Sequence, residues 1–437
     1  MNFSNLAEIL SKKTDGKVYV HFSSDYLDFT NKEFVVEMLL SFSDEEIKII
    51  LTEDNLTLVV SMLQLSVWSD DFKIICWDWK SLCSYFLNKT GKTLFVSGTI
   101  IDLKIIESYC GKKLVAPKNL KEALVRLKDL VTSGSWSDVD VFYKKIHLPL
   151  ITRTIPALEN SGIIDVSSGK KLHAYYEIEG QENGRLRSAN VFSNGFVPHT
   201  MSPEIRGNLK PRDQDELFLV FDFKSMEVFT LANCSKDPLL LELCKENDVY
   251  ESLYSKIIDE NSEKKDRNLV KKIFLPVIYG QTAKSLHNIH GFALDVCESI
   301  VDRIDKLFPT AMRYVGSYAQ TLNSQNFAKD VFNRKRYFEA GKEFAVRNFS
   351  VQAPSALICL EKLNHLYFAL NGIADIAYSL HDGYAVYATR DNWKKVYKLS
   401  YEALSSESDI CENLRLRVAC RGGRNLNDLK PLARRGE

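Results

Sequence analysis

Two apolar stretches far apart in the chain each run into a carboxylate. Leu217-Phe218-Leu219-Val220-Phe221 ends on Asp222. Ile376-Ala377-Tyr378-Ser379-Leu380 leads into His381-Asp382, and Tyr384-Ala385-Val386-Tyr387-Ala388 leads away. Runs rich in branched and aromatic residues predict buried strands, and the second pair predicts a hairpin with Asp382 at its tip. Such short strands hold only inside a larger sheet, so they commit the chain to one. Between them Arg267, Lys271, Leu275 and Tyr279 recur every four residues, which stacks them along one face of a helix. That face offers a cationic clamp at one end and an apolar or aromatic platform at the other. A nucleoside triphosphate has the matching parts, a charged tail and a flat base.

The 437 residues allow several domains and an ample core. Net charge is zero, so any nucleic-acid surface must come from local clustering of Lys and Arg. The nine cysteines contain no C-x-x-C pair, which argues against a zinc ribbon and reads as reduced thiols in an intracellular, cytoplasmic setting. No apolar run approaches the roughly 20 residues that span a bilayer, and the first residues lack a signal-peptide plan.

Residues 17–112 read as a small α/β unit, with strands at 18–22 and 73–77, helical stretches around 32–42 and 54–65, and an apolar element at 99–109. Pro117 opens an amphipathic helix with Leu120, Leu124, Leu127 and Leu130 on one side and Lys118, Lys121, Arg126 and Lys128 mostly elsewhere. Ser133-Gly134-Ser135 breaks it, and Ser137 is placed to cap a second helix. The resulting hairpin, 117–160, is either a linker subdomain or a basic pair that grips duplex phosphates. Leu172–Ile178 reads as a strand, and helices are expected at 225–245, 248–260, 292–323 and 356–370. Pro276 should end or kink the helix carrying Arg267 near Lys272.

An aspartate after a strand is, taken singly, most often a turn or helix cap. Two on neighbouring strands suit phosphoryl transfer, in which two Mg²⁺ ions about 3.5–4 Å apart do the electrostatic work. The chain resembles the polymerase region of family A DNA polymerases. Asp222-Phe223-Lys224-Ser225-Met226-Glu227 is similar to the first palm motif, D-Y-S-Q-I-E. Arg267-x3-Lys271-x7-Tyr279-Gly280 is similar to the fingers motif, R-x3-K-x7-Y-G, and His381-Asp382 to the start of H-D-E. Asn183-Gly184-Arg185-Leu186-Arg187-Ser188 resembles T-G-R-L-S-S, and Asn348-x3-Gln352 resembles the N-x3-Q block of phage members, with Arg334-Lys335-Arg336-Tyr337 like the G-R-R-R turn before it. The blocks fall in family order across about 171–437.

The resemblance implies roles. Asp222 and Asp382, with the backbone carbonyl of Phe223, would bind two Mg²⁺ ions, for which Mn²⁺ can substitute. Arg267 and Lys271 would neutralise the β- and γ-phosphates, Leu275 would lie against the nucleotide, and Tyr279 would close over the template-base position. Glu227 would be the steric gate against a ribose 2′-hydroxyl. Arg185, Asn348 and Gln352 would reach the minor groove at the primer end, and His381 would lie near the terminal phosphate. Departures from the pattern are Gly383 for the family's Glu, Leu275 for Phe or Tyr, Pro276 for Gly, and Phe229 for an Arg. Residues 17–112 resemble the 3′→5′ exonuclease domain more weakly, through Asp78-Trp79-Lys80-Ser81-Leu82 and Ile101-Asp102-Leu103-Lys104. Ser23 and Asp25 stand where that domain needs D-x-E, so proofreading is not expected.

The implied fold is an α+β right-hand polymerase preceded by an α/β, ribonuclease H-like exonuclease domain. Its expected parts are a degenerate exonuclease-like domain at 1–114, a reduced helical thumb at 115–165, palm at 166–245 and 331–437, and fingers at 246–330. The implied function is DNA-templated extension of a primer 3′ end with dNTPs. The rivals are a single-subunit RNA polymerase-like enzyme and a catalytically inactive DNA-binding relative. Primer-template DNA and dNTPs are the expected partners of a monomer that does not engage membranes. A processivity factor, helicase or primase would suit a phage or plasmid replication enzyme with so short a thumb.

Overall fold

Five strands of the N-terminal quarter make one sheet: β1 (Lys17–Phe22), β2 (Val36–Phe42), β3 (Glu45–Leu51), β4 (Lys73–Cys76) and β5 (Thr99–Asp102). The computed structural model describes residues 17–432 except 23–26, 31–35, 43–44, 53–54, 57–58, 60–72, 95–98, 134, 179–180, 182 and 259–264. The strand order is β3-β2-β1-β4-β5, with β1, β4 and β5 parallel and β2 and β3 antiparallel to their neighbours. Helices α1 (Trp79–Thr90) and α2 (Leu103–Tyr109) follow β4 and β5 directly. This is the α/β unit expected, with one correction. The described part of the helix read around 32–42 is strand β2, and its buried Met38 and Leu40 alternate with period two. A short apolar run cannot be assigned by periodicity alone, and here the unpaired edge of β1 decides it. Most of the helix read at 54–65 lies outside the described residues.

The hairpin forms from α3 (Leu120–Thr132) and a second helical run comprising α4 (Ser135–Phe142), two π-helical turns at Tyr143–His147 and Leu150–Thr154, and α5 (Ile155–Ser161). The run starts at Ser135, so Ser137 lies inside it rather than capping it. Its later half is core: Tyr143, Ile146, Leu150, Ile151, Ile155 and Leu158 are all buried. Nor is the first arm free. Leu120, Ala123 and Leu130 are buried, and Arg126, expected on the basic outer surface, pairs with buried Glu107. Lys121 and Lys128 remain exposed.

Beyond it come β6 (Ile163–Asp165), β7 (Lys170–Leu172), β8 (Tyr175–Glu177), β9 (Arg187–Ala189), α6 (Pro203–Asn208) and β10 (Leu209–Lys210). The single strand expected over 172–178 is split, because β7 pairs with β6 and β8 with β9. Then β11 (Glu216–Lys224) leads into α7 (Met226–Ser235), α8 (Pro238–Leu243), α9 (Val249–Ile257), α10 (Arg267–Ile278), α11 (Ala283–His290), α12 (Leu294–Leu307) and α13 (Pro309–Ser324). The hairpin β12 (Phe327–Lys329) and β13 (Lys335–Tyr337) precedes the long α14 (Glu343–Leu370). Last come β14 (Ile376–Ser379), β15 (Gly383–Thr389), α15 (Trp393–Ser405), β16 (Arg417–Gly423) and β17 (Lys430–Pro431). The second sheet is antiparallel throughout, in the order β14-β15-β11-β16-β17. Helices cover it: Tyr397 of α15 stacks on Phe221, and the Tyr384 hydroxyl donates to the Cys359 carbonyl of α14 at 2.6 Å. Residues 218–221 of β11 are therefore buried on both faces, which is why they read as a continuous apolar run.

Of the two outcomes expected near Lys272, an end or a kink, the end does not occur. Helix α10 continues to Ile278 with Pro276 inside it. The proline removes one bond, to the Lys272 carbonyl, and Lys272 is exposed, so water can satisfy that group. No helix among the described residues is long and apolar enough to cross a membrane.

Candidate active site

Asp222, on β11, and Asp382, in the turn before β15, are brought side by side. Asp222 of β11 pairs across the ladder with Gly383 of β15, and the Phe223 N–H donates to the Asp382 carbonyl at 2.9 Å. Asp222 has an exposed face but is hemmed in by protein. That crowding, and then the Asp382 carboxylate, push its carboxyl up to about 6, against the pull of Arg421 and Lys271. Two carboxylates side by side, with solvent access on one side, are a donor set suited to hard divalent cations. Arg421 sits opposite Val220 on β16, two residues along from Asp222 and on the same sheet face. Gly383 leaves no room for the family's third acid, since a Cβ there would meet the Phe221 carbonyl oxygen at 2.4 Å.

Helix α10 brings its cationic face to this corner. Lys271 is exposed and close enough to Asp222 to influence its charge. Arg267 is drawn away: its Nε donates to Asp248 at 2.7 Å, and its guanidinium lies over Tyr250. Leu275 and Tyr279 are buried, Tyr279 as the cap residue just past the helix. The Tyr279 hydroxyl reaches Glu227 Oε2 at 3.5 Å, and Glu227 Oε1 accepts from Arg185 at 2.7 Å. Glu227 sits in the first turn of α7, so the strand-to-helix step after Asp222 aims it across this corner. Gly280 follows with φ 101°, and a Cβ there would strike the Arg347 guanidinium, so α10 closes against α14 through a glycine.

Arg185 also lies near His381, whose imidazole burial and then Arg185 push below its ordinary range. The His381 ring stacks on His199, centroids 4.1 Å apart and 8° from parallel. His199 Nδ1 accepts from the Ser188 N–H at 3.1 Å, and burial, then His381, push its pKa down to about 4. Asn348 and Gln352 stand one turn apart on α14, and Asn183 Nδ2 donates to Gln352 Oε1 at 2.9 Å. The basic turn before α14 is structural. Buried Arg334 pairs with Asp330 at 2.8 Å, and Arg336 donates to the Ser108 carbonyl.

A family model for DNA polymerase family A matches residues 151–428. The chain belongs to DNA polymerase family A. Among curated relatives it is 22% identical over 280 residues to DNA polymerase I of Chloroflexus aurantiacus, covering 60% of this chain and 30% of that protein. It is 23% identical over 188 residues to DNA polymerase I of Streptococcus pneumoniae, 42% of this chain and 21% of that one. With DNA polymerase theta of Drosophila melanogaster it shares 23% over 252 residues, 52% of this chain and 12% of that one. It thus spans under a third of these relatives' lengths. Its fold is similar to the POL domain of Pol1 from M. smegmatis, solved in complex with DNA primer-template and dNTP. The TM-score is 0.75 at 14% identity, covering 98% of this chain and 99% of that one.

In this family A chain the N-terminal sheet brings a second pair of aspartates together. Asp78 follows β4, and Asp102 ends β5, directly opposite Cys76. Neither carboxylate is available. Asp102 accepts from the Trp79 and Lys104 N–H groups at 2.8 and 3.1 Å. Asp78 accepts from the Ser81 N–H and pairs with the Lys104 ammonium at 2.9 Å. Ser23 and Asp25 lie outside the described residues.

Sequence reading missed Arg421, His199 and Asp248. Arg421 stands in a strand without a motif, and only the register of β16 against β11 aims it at Asp222. His199 lies in a Gly, Ser and Asn-rich stretch that gives no periodicity. Phe229, unusual for the family, is buried beneath Arg417, whose guanidinium bonds the carbonyls of residues 244–247 after α8.

Proposed function

We propose that this chain is a DNA-templated DNA polymerase that extends a primer 3′ end with dNTPs by two-metal phosphoryl transfer, without proofreading. The observation that carries this reading is the juxtaposition of Asp222, on β11, with Asp382, in the turn that leads into β15, beside Lys271. The two carboxylates and the Phe223 carbonyl would hold two Mg²⁺ ions, or Mn²⁺ in their place. When bound, such ions favour the 3′-oxyanion of the primer and neutralise charge on the phosphates. Lys271 and Arg267 bind the β- and γ-phosphates, Arg267 exchanging Asp248 for the triphosphate. Glu227, held by Arg185 and Tyr279, fills the space of a 2′-hydroxyl and selects dNTPs. Leu275 and Tyr279 flank the nucleotide and template base as α10 moves. Arg185, Asn348 and Gln352 test pair shape through minor-groove acceptors, which every correct pair presents. His381 meets the terminal phosphate, its ring steadied by His199.

The proposed parts are palm at 166–245 and 331–437, fingers at 246–330, a reduced thumb at 115–165 and an exonuclease-like domain at 1–114. The spent carboxylates of Asp78 and Asp102 support the absence of proofreading. The test is extension of a labelled primer on a DNA template with Mg²⁺ and either dNTPs or NTPs. Extension with dNTPs and little with NTPs is expected. Preferential NTP use would favour an RNA polymerase-like enzyme, and failure with Mg²⁺ and Mn²⁺ on several primers would favour a binding module.

A further inference from the structure

A histidine and two carboxylates outside the polymerase site converge where α14 meets the loop 406–416. Glu361 and His365 stand four residues apart on α14, which puts them on one face of the helix. Asp409 comes from the loop. His365 Nε2 lies 3.0 Å from Asp409 Oδ2, and one ligand atom from each of the three residues lies within 4.8 Å of the other two. Ligands of one tetrahedral zinc ion stand roughly 3.4 Å apart, so a small rotation of the exposed Asp409 side chain closes the set. Buried Glu361 is already oriented: Oε1 accepts from the Asp409 and Ile410 N–H groups at 2.7 and 3.1 Å, and Oε2 from Ser408 Oγ at 2.8 Å. A carboxylate has about four acceptor sites, so one on Oε2 is left. Lys362 holds the same loop, its ammonium donating to the Ser406 carbonyl, Ser406 Oγ and the Glu407 carbonyl at 2.9, 2.9 and 3.1 Å. Ser406 Oγ gives its only proton to the Ala403 carbonyl at 2.8 Å and lies 3.4 Å from His365 Nδ1. Toward that ring it can only accept, which places hydrogen on Nδ1. A neutral ring so held aims the Nε2 lone pair at the Asp409 carboxylate. Two acceptors facing each other at 3.0 Å call for a cation between them, either a proton or a metal ion.

We propose that Glu361, His365 and Asp409 form a second metal site, built from other residues than the polymerase centre, which takes a divalent ion of the zinc class. One imidazole nitrogen and two carboxylate oxygens make a three-ligand set, with the fourth position left to water. Solvent reaches it past Asp409, whose side chain is 68% exposed. Imidazole favours Zn²⁺, Co²⁺ or Ni²⁺, while sites of oxygen ligands alone suit Mg²⁺. The site therefore selects against the ion proposed for Asp222 and Asp382. The N–H and hydroxyl groups on Glu361, and Ser406 Oγ beside Nδ1, are the outer partners that orient such ligands. The role is structural. The ion pins the loop 406–416 to α14, and that loop leads into β16, whose Arg421 stands on the sheet face of Asp222. Because the ligands come together only in the folded chain, bound metal stabilises it.

The experiment titrates the folded full chain with Zn²⁺, and in parallel with Co²⁺, in excess Mg²⁺ and a reductant that carries no thiol. Calorimetry, thermal melts and the Co²⁺ absorption spectrum are the readouts. The expected result is one tight Zn²⁺ per chain, a higher Tm, and visible Co²⁺ bands without a thiolate charge-transfer band. His365→Ala and Asp409→Asn should each weaken Zn²⁺ binding at least about tenfold and remove the gain in Tm. Asp222→Asn should keep both. The His365 and Asp409 side chains reach solvent, so these variants should fold, and a melt without metal checks that they do. Wild type that binds no Zn²⁺ above the Mg²⁺ background overturns the proposal. So does binding that neither His365→Ala nor Asp409→Asn weakens, binding that Asp222→Asn abolishes, or a thiolate band in the Co²⁺ spectrum.

Discussion

At position 222 a carboxylate is held where its charge is disfavoured. In the metal-free fold it keeps its proton to about 6, above an ordinary aspartate. The folded chain then binds a proton that the unfolded chain has released, so stability falls as pH rises from about 4 to 6 and stays lower above that. Because the side chain is partly exposed, solvent screening reduces the penalty to the order of 1 kcal/mol. In metal-free buffer at pH 8, Asp222→Asn should therefore be more stable to urea than wild type by about that amount. The gain should vanish below pH 4, and Mg²⁺ should stabilise wild type while leaving the variant unchanged. Glu227 carries a separate demand. Glu227→Ala should raise NTP incorporation relative to dNTP at least about tenfold, a difference of about 1.4 kcal/mol; unchanged discrimination would remove Glu227 from the gate. The residue types of both positions were readable from the sequence, but their surroundings were not. Arg421 and His199 reach the site through register and loop path, which no local pattern encodes.

Elements were readable wherever one strong periodicity ruled. The β14–β15 hairpin, β11 and the face of α10 were all present in the apolar pattern. The misreadings share a cause: tertiary contact overrode local preference. Strand β2 formed where the edge of β1 needed pairing, and α10 ran through Pro276 because only one exposed carbonyl lost its partner. The 135–161 run was read as an arm, yet its second half is a strut between helix α1 and α14. Thr154 Oγ1 donates to Asn364 of α14 at 2.7 Å, and Glu159 accepts from Lys80 at 2.7 Å and from the Tyr176 N–H at 2.9 Å. The Lys80 and Glu159 side chains are only 5% and 1% exposed. Lys80→Ala would leave a buried charge unpaired and should cost about 3–5 kcal/mol. Lys144→Ala, at an exposed pair on the same run, should stay within about 0.5 kcal/mol. Equal costs in urea denaturation would show that the run is not a strut.

For the molecule as a whole, the spent aspartates of the N-terminal sheet and the docked α3 predict a polymerase that neither edits nor holds its template for long. On a primer with a mismatched 3′ end, in the presence of trap DNA, it should extend the mismatch slowly without first excising it and stop after short additions. Removal of the mismatched nucleotide, or products hundreds of nucleotides long from one binding event, would contradict this. The family was readable because the motifs fall in family order. The packing of the hairpin against the N-terminal sheet was not, since Arg126 and Glu107 carry no signal of their pairing. The most direct measurement is the single-turnover rate of dNTP addition with Mg²⁺ for wild type, Asp222→Asn and Asp382→Asn, alongside primer-template affinity. The account predicts primer-template binding within a few-fold for all three and a rate loss of at least about 10³-fold in each variant, or roughly 4 kcal/mol of transition-state stabilisation. Near-wild-type rates in either variant would mean that these two carboxylates do not hold the reacting centre.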